Sequence, residues 1–263
     1  MTWRNVLAQD EWAGASMESS CGAGQDDEPS LFLVLVRHGE SEWNRDSRFT
    51  GWTDIDLTIG GEGQAREAGR ILARDRWQFD LAYTSVLKRS IRTLWLMLEE
   101  LDQSWIPVMH DWRLNERHYG SLTGMRKTEA IERFGEQAVQ HWRRSYHGRP
   151  PPISVTMEDR RYRRLLPGEI PRTESLCDTE RRVAAFWSDT LAPAIESGYR
   201  VIVCGHGNGL RALVKILDAL SEADVMRLDI PNGVPLVYRF GPDMTVIDRF
   251  YIEEPAMRES NIL

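Results

Sequence analysis

The chain has 263 residues, enough for one α/β domain or two small ones, and 41% of them are apolar, which supplies a substantial core. A net charge of −7 argues against nucleic-acid binding through bulk charge, and no run approaches the roughly 18 apolar residues of a membrane span. The three cysteines, Cys21, Cys177 and Cys204, are odd in number and fit no zinc spacing, so a reducing cytoplasmic setting is the simpler expectation.

Residues 1–30 are small, polar and acidic, with little to bury, and read as a disordered extension ahead of a single catalytic domain over residues 31–263. Leu31 to Val36 form an unbroken apolar run, the pattern of a strand buried on both faces of a parallel sheet. Arg37, His38, Gly39 and Glu40 follow it. Chemistry in open α/β sheets gathers at the carboxyl ends of strands. An Arg and a His there, beside a Gly that lets backbone come close, read as an anion site with a nucleophile.

A polar loop from about Gly39 to Gly61 comes next. It carries Ser41, Asn44, Arg48, Thr50 and Gly51, all able to touch an anionic ligand, with Trp43, Phe49 and Trp52 to hold it down. The spacing of Ala65, Ala68 and Leu72 predicts a helix over 62–76. A strand at 81–85 leads into a second helix striped by Leu87, Ile91, Leu94 and Leu98. Arg89 falls in the first turn of that helix, where a cation opposes the helix dipole, and this placement points to a site. A short strand at 106–109 precedes a glycine-punctuated loop that presents Glu116 and Tyr119.

Residues 128–146 read as one helix ending in Arg143 and Arg144. Adjacent residues diverge by about 100° on a helix, so both can meet one anion only near its end. A basic, irregular excursion follows to about residue 175, and its arginines read equally as a lid or as solvated surface. A helix is expected over 174–196. Val201 to Cys204 then repeat the opening theme: apolar run, Gly205-His206-Gly207-Asn208-Gly209, helix. Free N–H groups at such a helix start bind phosphate oxygens well. An acidic helical patch at 221–228 and a terminal hairpin, LVYRF with TVIDRFYI, complete the chain.

Phosphoryl transfer needs a nucleophile, in-line geometry and positive charge around the moving group. His38 suits the nucleophile. Arg37, Arg89 and His206 would hold the phosphoryl oxygens, Asn44 and Asn208 would add neutral donors, and Glu116 would give and take the hydroxyl proton.

RHGE followed by Asn44 resembles the signature of the histidine phosphatase superfamily. More narrowly, RHGESEWN, RFTGWTDIDLT, YTSVLKRSIRTLW, LNERHYGSLTG, HWRR, GHGNGLRALVK and IPNGVPLVY, in this order over about residues 31–252, resemble the cofactor-dependent phosphoglycerate mutases. The resemblance implies a three-layer α/β/α fold with a mostly parallel central sheet. It implies interconversion of 3- and 2-phosphoglycerate in glycolysis and gluconeogenesis, through a phosphohistidine primed by 2,3-bisphosphoglycerate and without a metal. The family's roles fall on His38, Arg37, Arg89, His206 and Glu116. Its substrate contacts fall on Ser41, Asn44, Thr50, Gly51, Tyr119, Lys127, Arg143, Arg144, Gly207 and Asn208. Its partners would be small phosphorylated acids, with a dimer or tetramer of identical chains as its assembly. Ser41 favours a mutase over the related bisphosphoglycerate synthases.

Four departures from the pattern stand out: Cys204-Gly205 before the second histidine, Gly209 in place of Ser, a shortened 150–175 excursion and a short C-terminal tail. The last two predict an imperfectly sealed site. A plain phosphatase would share the His38 core, but Lys127, Arg143 and Arg144 argue against it. A metalloenzyme using His38, His206 and Glu116 is disfavoured because the sequence has no short-spaced His pair, and a non-catalytic binding protein would be expected to have lost a catalytic residue, whereas none is missing.

Overall fold

The computed structural model describes residues 31–154, 159–166 and 168–252. The expectations for residues 1–30 and for the C-terminal tail lie outside them. In chain order, β1 (Leu31–Arg37) is followed by a single-turn α1 (Glu42–Arg45), α2 (Ile59–Arg74), β2 (Leu81–Thr84), α3 (Lys88–Glu100) and β3 (Val108–His110). Next come α4 (Lys127–Phe134), α5 (Glu136–Arg144), α6 (Leu176–Phe186), α7 (Ala192–Glu196), β4 (Val201–Gly205), α8 (Gly207–Leu217), α9 (Glu222–Arg227), β5 (Leu236–Phe240) and β6 (Val246–Tyr251).

The six strands form one sheet in the order β3-β2-β4-β1-β5-β6. Strands β1 to β4 run parallel, and β5 turns antiparallel against β1. The two apolar runs are neighbours, with Leu33 opposite Val201 and Arg37 opposite Gly205. Successive residues of a strand point to opposite faces, and here both faces are buried. Leu33, Leu35, Val201 and Val203 pack with α6, α7, α8 and α9 through Val183, Ile195, Leu213 and Val225. Val34, Val36, Ile202 and Cys204 pack with α2 and α3 through Leu72 and Leu94. This is the three-layer α/β/α architecture with a mostly parallel sheet, and it explains why these strands read as continuous apolar runs rather than alternating ones.

Several boundaries differ from the sequence reading. The 39–61 loop contains α1, capped by Ser41, and α2 starts at Ile59 rather than Glu62 because the Thr58 side chain caps it by accepting from Gly61 N–H. The expected 128–146 helix is two helices, parted at Gly135, whose φ of +82° no helix accommodates. The 174–196 helix is interrupted by a π-helical turn at Trp187–Leu191. Gly39 does bring backbone close, but to the chain itself: a Cβ there would overlap the carbonyl of Gly61, and one on Gly61 would overlap that of Glu40. The pair of glycines lets the loop after β1 rest on the start of α2.

Among the described residues, no helix is long and apolar enough to cross a membrane, and no group of three or more His, Cys, Asp or Glu side chains is placed to hold a metal ion.

Candidate active site

The carboxyl ends of β1 and β4 carry the two histidines to one place. His38 follows β1, and its N–H donates to the Gly205 carbonyl at 3.0 Å. His206 follows β4 and caps α8. Their ring centroids lie 4.9 Å apart. The Asn232 side-chain amide donates to the His38 carbonyl, and Gly233 N–H donates to that of Arg37. The PNGVP turn thus fixes the backbone beneath the first histidine.

The hydrogen bonds of His38 define its tautomer. Nδ1 lies 2.6 Å from the Gly39 carbonyl oxygen, which can only accept, so Nδ1 carries the proton. Nε2 then holds a lone pair, and it accepts from Arg89 Nε at 3.2 Å. Burial holds the His38 pKa well below its ordinary value, with Arg89 and Arg37 pushing the same way. The imidazole is neutral and nucleophilic at Nε2.

Arg89 reaches the site from the first turn of α3. Its NH1 and NH2 donate to the carbonyls of Thr53 and Gly51 at 2.9 Å each. Arg89 is 1% exposed as a residue, and burial lowers its pKa to about 10. Arg37 donates through NH1 to the Ile230 carbonyl at 2.7 Å, with Asp229 at 3.9 Å.

His206 is buried, and burial holds its pKa well below the ordinary value, with Arg89 and His38 contributing. Its Nε2 lies 2.7 Å from Ser85 Oγ, which also accepts from Leu87 N–H. When the Ser85 hydroxyl donates to Nε2, the proton of this imidazole sits on Nδ1. That atom is buried and has no partner. A proton donor with no acceptor beside His38 suits an incoming phosphoryl oxygen.

Glu116 lies across the cleft, at the end of the loop after β3. Its Oε1 accepts from Asn208 Nδ2 at 2.8 Å, from Asn208 N–H at 3.2 Å and from Arg117 N–H at 2.7 Å. Asn208 Nδ2 also donates to the Tyr119 hydroxyl at 3.0 Å, and Arg211 NH1 donates to Asn208 Oδ1 at 3.3 Å. The N–H of Asn208 at the start of α8, expected to cradle phosphate, is here turned to Glu116.

The cleft between these groups has a volume of about 190 Å³. That is below the roughly 300–1,000 Å³ of drug-sized pockets, so it fits a small ligand. Of the residues expected from the sequence, Arg37, His38, Asn44, Thr50, Arg89, Glu116, Tyr119, Lys127, Arg143, Gly207 and Asn208 line it. Four do not. His206 is fully buried, its ring beside that of His38. Ser41 is buried as the cap of α1, with its hydroxyl on Asn44. Gly51 contributes its carbonyl to Arg89. Arg144 is exposed at the end of α5, outside the lining, although it lies near enough to depress the pKa of Lys127 and Arg143.

Lys127 occupies the first position of α4, and it and Arg143 share one side of the cleft. The pKa of each is lowered, first by burial and then by neighbouring cations. Like charges pressed together in a half-buried wall destabilise one another until an anion arrives.

Arg48, in the sequence one of several loop residues able to meet an anion, lines the cleft, as do Arg211, Asp229 and Ile230, which no motif marks as ligands. Arg211 sits three residues after Asn208 and therefore on the same helical face. A cation one turn along α8 from Asn208 was the signal. None of the described residues of the 150–175 excursion lines the cleft. Instead Tyr162 packs on Trp52 with ring centroids 4.8 Å apart, and Arg161 pairs with Asp54 at 2.9 Å, so this segment braces the wall behind Arg89.

Comparison with solved structures agrees with the architecture. A mycobacterial glucosyl-3-phosphoglycerate phosphatase superposes with a TM-score of 0.65 at 24% identity, over 84% of this chain and 97% of the other. YhfR of Bacillus stearothermophilus gives 0.65 at 23%, over 82% and 93%. The alpha-ribazole phosphatase of Shigella flexneri gives 0.65 at 21%, over 83% and 95%. At such identities the likeness is one of fold. The sequence comparison goes further, for the family model of the histidine phosphatase superfamily (branch 1) matches residues 33–253, nearly the whole described chain. With two histidines at adjacent strand ends and arginines around them, the chain belongs to the histidine phosphatase superfamily, branch 1.

Proposed function

We propose that the protein is a 2,3-bisphosphoglycerate-dependent phosphoglycerate mutase that works in the cytoplasm without a metal. In this reading His38 Nε2 attacks the phosphorus of bisphosphoglycerate, the bond from phosphorus to the substrate oxygen breaks, and protonated Glu116 gives that oxygen its proton. In the return step the Glu116 carboxylate takes the proton of a substrate hydroxyl as its oxygen attacks the phosphohistidine and frees the His38 lone pair. Arg37, Arg89 and His206 Nδ1 stabilise the charge on the moving phosphoryl group.

The observation that carries the proposal is the second cationic wall. Lys127 and Arg143 are too crowded to be a stability feature, and they add to the cations around His38, with Arg37 near enough to depress the pKa of Lys127. A phosphate monoester with one anionic end needs only the first set of cations. A phosphorylated acid with a carboxylate or second phosphate uses both, and such remote anchors position the reacting atom.

The test is a coupled assay for conversion of 3- to 2-phosphoglycerate with and without 2,3-bisphosphoglycerate, together with mapping of the acid-labile phosphoryl label. Activity should depend on the bisphosphate, and the label should map to His38. Label on His206, or turnover indifferent to the bisphosphate, would overturn the assignment.

One observation favours a second activity, hydrolysis. The described part of the excursion leaves the cleft uncovered, and exclusion of water decides what attacks a phosphohistidine. The three compared structures named above include two phosphatases by name. Release of inorganic phosphate from bisphosphoglycerate should be measurable beside mutase turnover. Undetectable release, both in the parent and with Arg163 and Arg164 changed to Ala, would mean the site is sealed.

A further inference from the structure

Beneath the Glu116 loop lies a buried ion pair that no part of the mechanism above uses. Glu174 is the residue before the cap of α6, and Arg182 lies two turns along that helix. Their side chains are 4% and 7% exposed, with Arg182 Nε 2.7 Å from Glu174 Oε1. A pair this deep is weak evidence for stability, because desolvation offsets much of the Coulomb attraction. Its partners suggest another role.

All five N–H donors of the Arg182 guanidinium are engaged. Nε and NH2 hold the two oxygens of Glu174. NH1 donates to the carbonyls of Arg113 at 2.6 Å and Asn115 at 2.9 Å, and NH2 donates to that of Glu116 itself at 3.0 Å. Glu174 in turn accepts the His118 N–H at 2.8 Å, while its own N–H donates to the His118 carbonyl at 2.8 Å. The Trp52 indole N–H adds a second bond to the Glu116 carbonyl at 2.6 Å. The segment from Arg113 to His118 has little regular structure to hold it, yet its backbone is gripped on both sides of Glu116. Only a planar guanidinium fork can serve this geometry; a lysine ammonium offers three donors from one point.

We infer that the Glu174–Arg182 pair is a positioning device for the Glu116 carboxylate, a catalytic aid rather than a stability element. The inference rests on the reading of Glu116 as the proton carrier. The pair holds the backbone from which that carboxylate projects, and displacement of about 1 Å in a proton carrier can cost on the order of a hundredfold in rate.

A double-mutant cycle tests it. Arg182→Lys should lower kcat about tenfold or more and leave KM within threefold. The same change made in Glu116→Gln should lower the residual rate less than twofold, because the group it positions is already gone. Turnover is measured with 3-phosphoglycerate primed by 2,3-bisphosphoglycerate, or with p-nitrophenyl phosphate if the parent turns over only that. Equal fold-losses in the parent and Glu116→Gln backgrounds, or an unchanged kcat, would overturn the inference.

Should Arg182→Lys not fold, the charge-neutral double variant Glu174→Gln/Arg182→Gln takes its place in the cycle; if that too does not fold, the pair is a stability element and the inference is wrong. Failure of the proton-carrier reading is separately visible. Glu116→Gln would then match the parent, whereas a damaged Glu116→Gln beside an intact Arg182→Lys removes only the positioning role.

Discussion

The two histidines are each fixed through hydrogen bonds to the surrounding chain. His38 donates from Nδ1 to the Gly39 carbonyl and accepts from Arg89 at Nε2, while His206 meets Ser85 through Nε2 and has no partner at Nδ1. The Lys127 wall is the opposite case, a set of like charges held without compensation. Removing one of them should relieve the unliganded protein and harm its ligand. Lys127→Met is therefore expected to leave the melting temperature unchanged or raised in the absence of substrate. It should raise KM for a phosphorylated acid about tenfold or more, since a hydrogen bond to a charged group contributes about 1.5–3 kcal/mol. A lower melting temperature with an unchanged KM would show that Lys127 is a structural residue. Glu116→Gln should keep the fold and lose about 10²–10⁴-fold in kcat, the usual contribution of a general acid–base group; a rate within threefold of the parent would remove Glu116 from the mechanism.

Elements place these residues, and the glycines between elements set the tolerances. Gly39 and Gly61 allow the loop after β1 to touch α2 backbone to backbone. Gly39→Ala should cost about 1–3 kcal/mol or more by overpacking, a fall of several degrees in melting temperature, and activity should fall with it as His38 shifts. A variant with the parent's melting temperature and rate would mean that the loop can move away at no cost. Here the sequence was a partial guide. The apolar runs announced β1 and β4 because both faces of each are covered, and the histidines after them were legible for that reason. Arg89 was legible as a cation at the wrong end of a helix, whereas Lys127 entered only through the family resemblance. Arg182, Glu174 and Ser85 were not, because they act on backbone or imidazole far away in sequence and look, in one dimension, like ordinary helix and loop residues. The break at Gly135 was missed because the apolar spacing resumes on its far side.

On the scale of the whole molecule, the cleft is a positive enclave in an acidic protein. The net charge is −7, yet Arg37, Arg48, Arg89, Lys127, Arg143 and Arg211 outnumber Glu116 and Asp229 around the cleft. The capture of an anionic substrate should accordingly fall as salt rises, because the attraction is screened beyond about 10 Å at 0.1 M. A kcat/KM that is flat between low and high ionic strength would rule out such steering. Stability should vary with acid as well. His38, His118 and His206 all have lowered pKa values, each chiefly through burial. The unfolded chain therefore binds more protons than the folded one once the pH drops below about 6.5. The melting temperature is expected to be level near pH 7–8 with respect to these groups and to fall as the pH passes below that value. A protein equally stable at pH 5 and pH 7 would contradict the neutral assignment of the buried imidazoles.

The place of β1 in the sheet has a temporal side. It is the first strand of the described chain to leave the ribosome, and it sits in the middle of the sheet with β4 and β5 as its neighbours. Leu33 must wait for Val201 on one side and Tyr238 on the other. At about 5–20 residues per second the interval is on the order of ten seconds or more. For that time six consecutive apolar residues, Leu31 to Val36, have no sheet to join. The strand that delivers His38 is thus an apolar segment that the newborn chain leaves unpaired for that interval. An interrupted message that stops before β4 leaves this apolar strand without either of its partners.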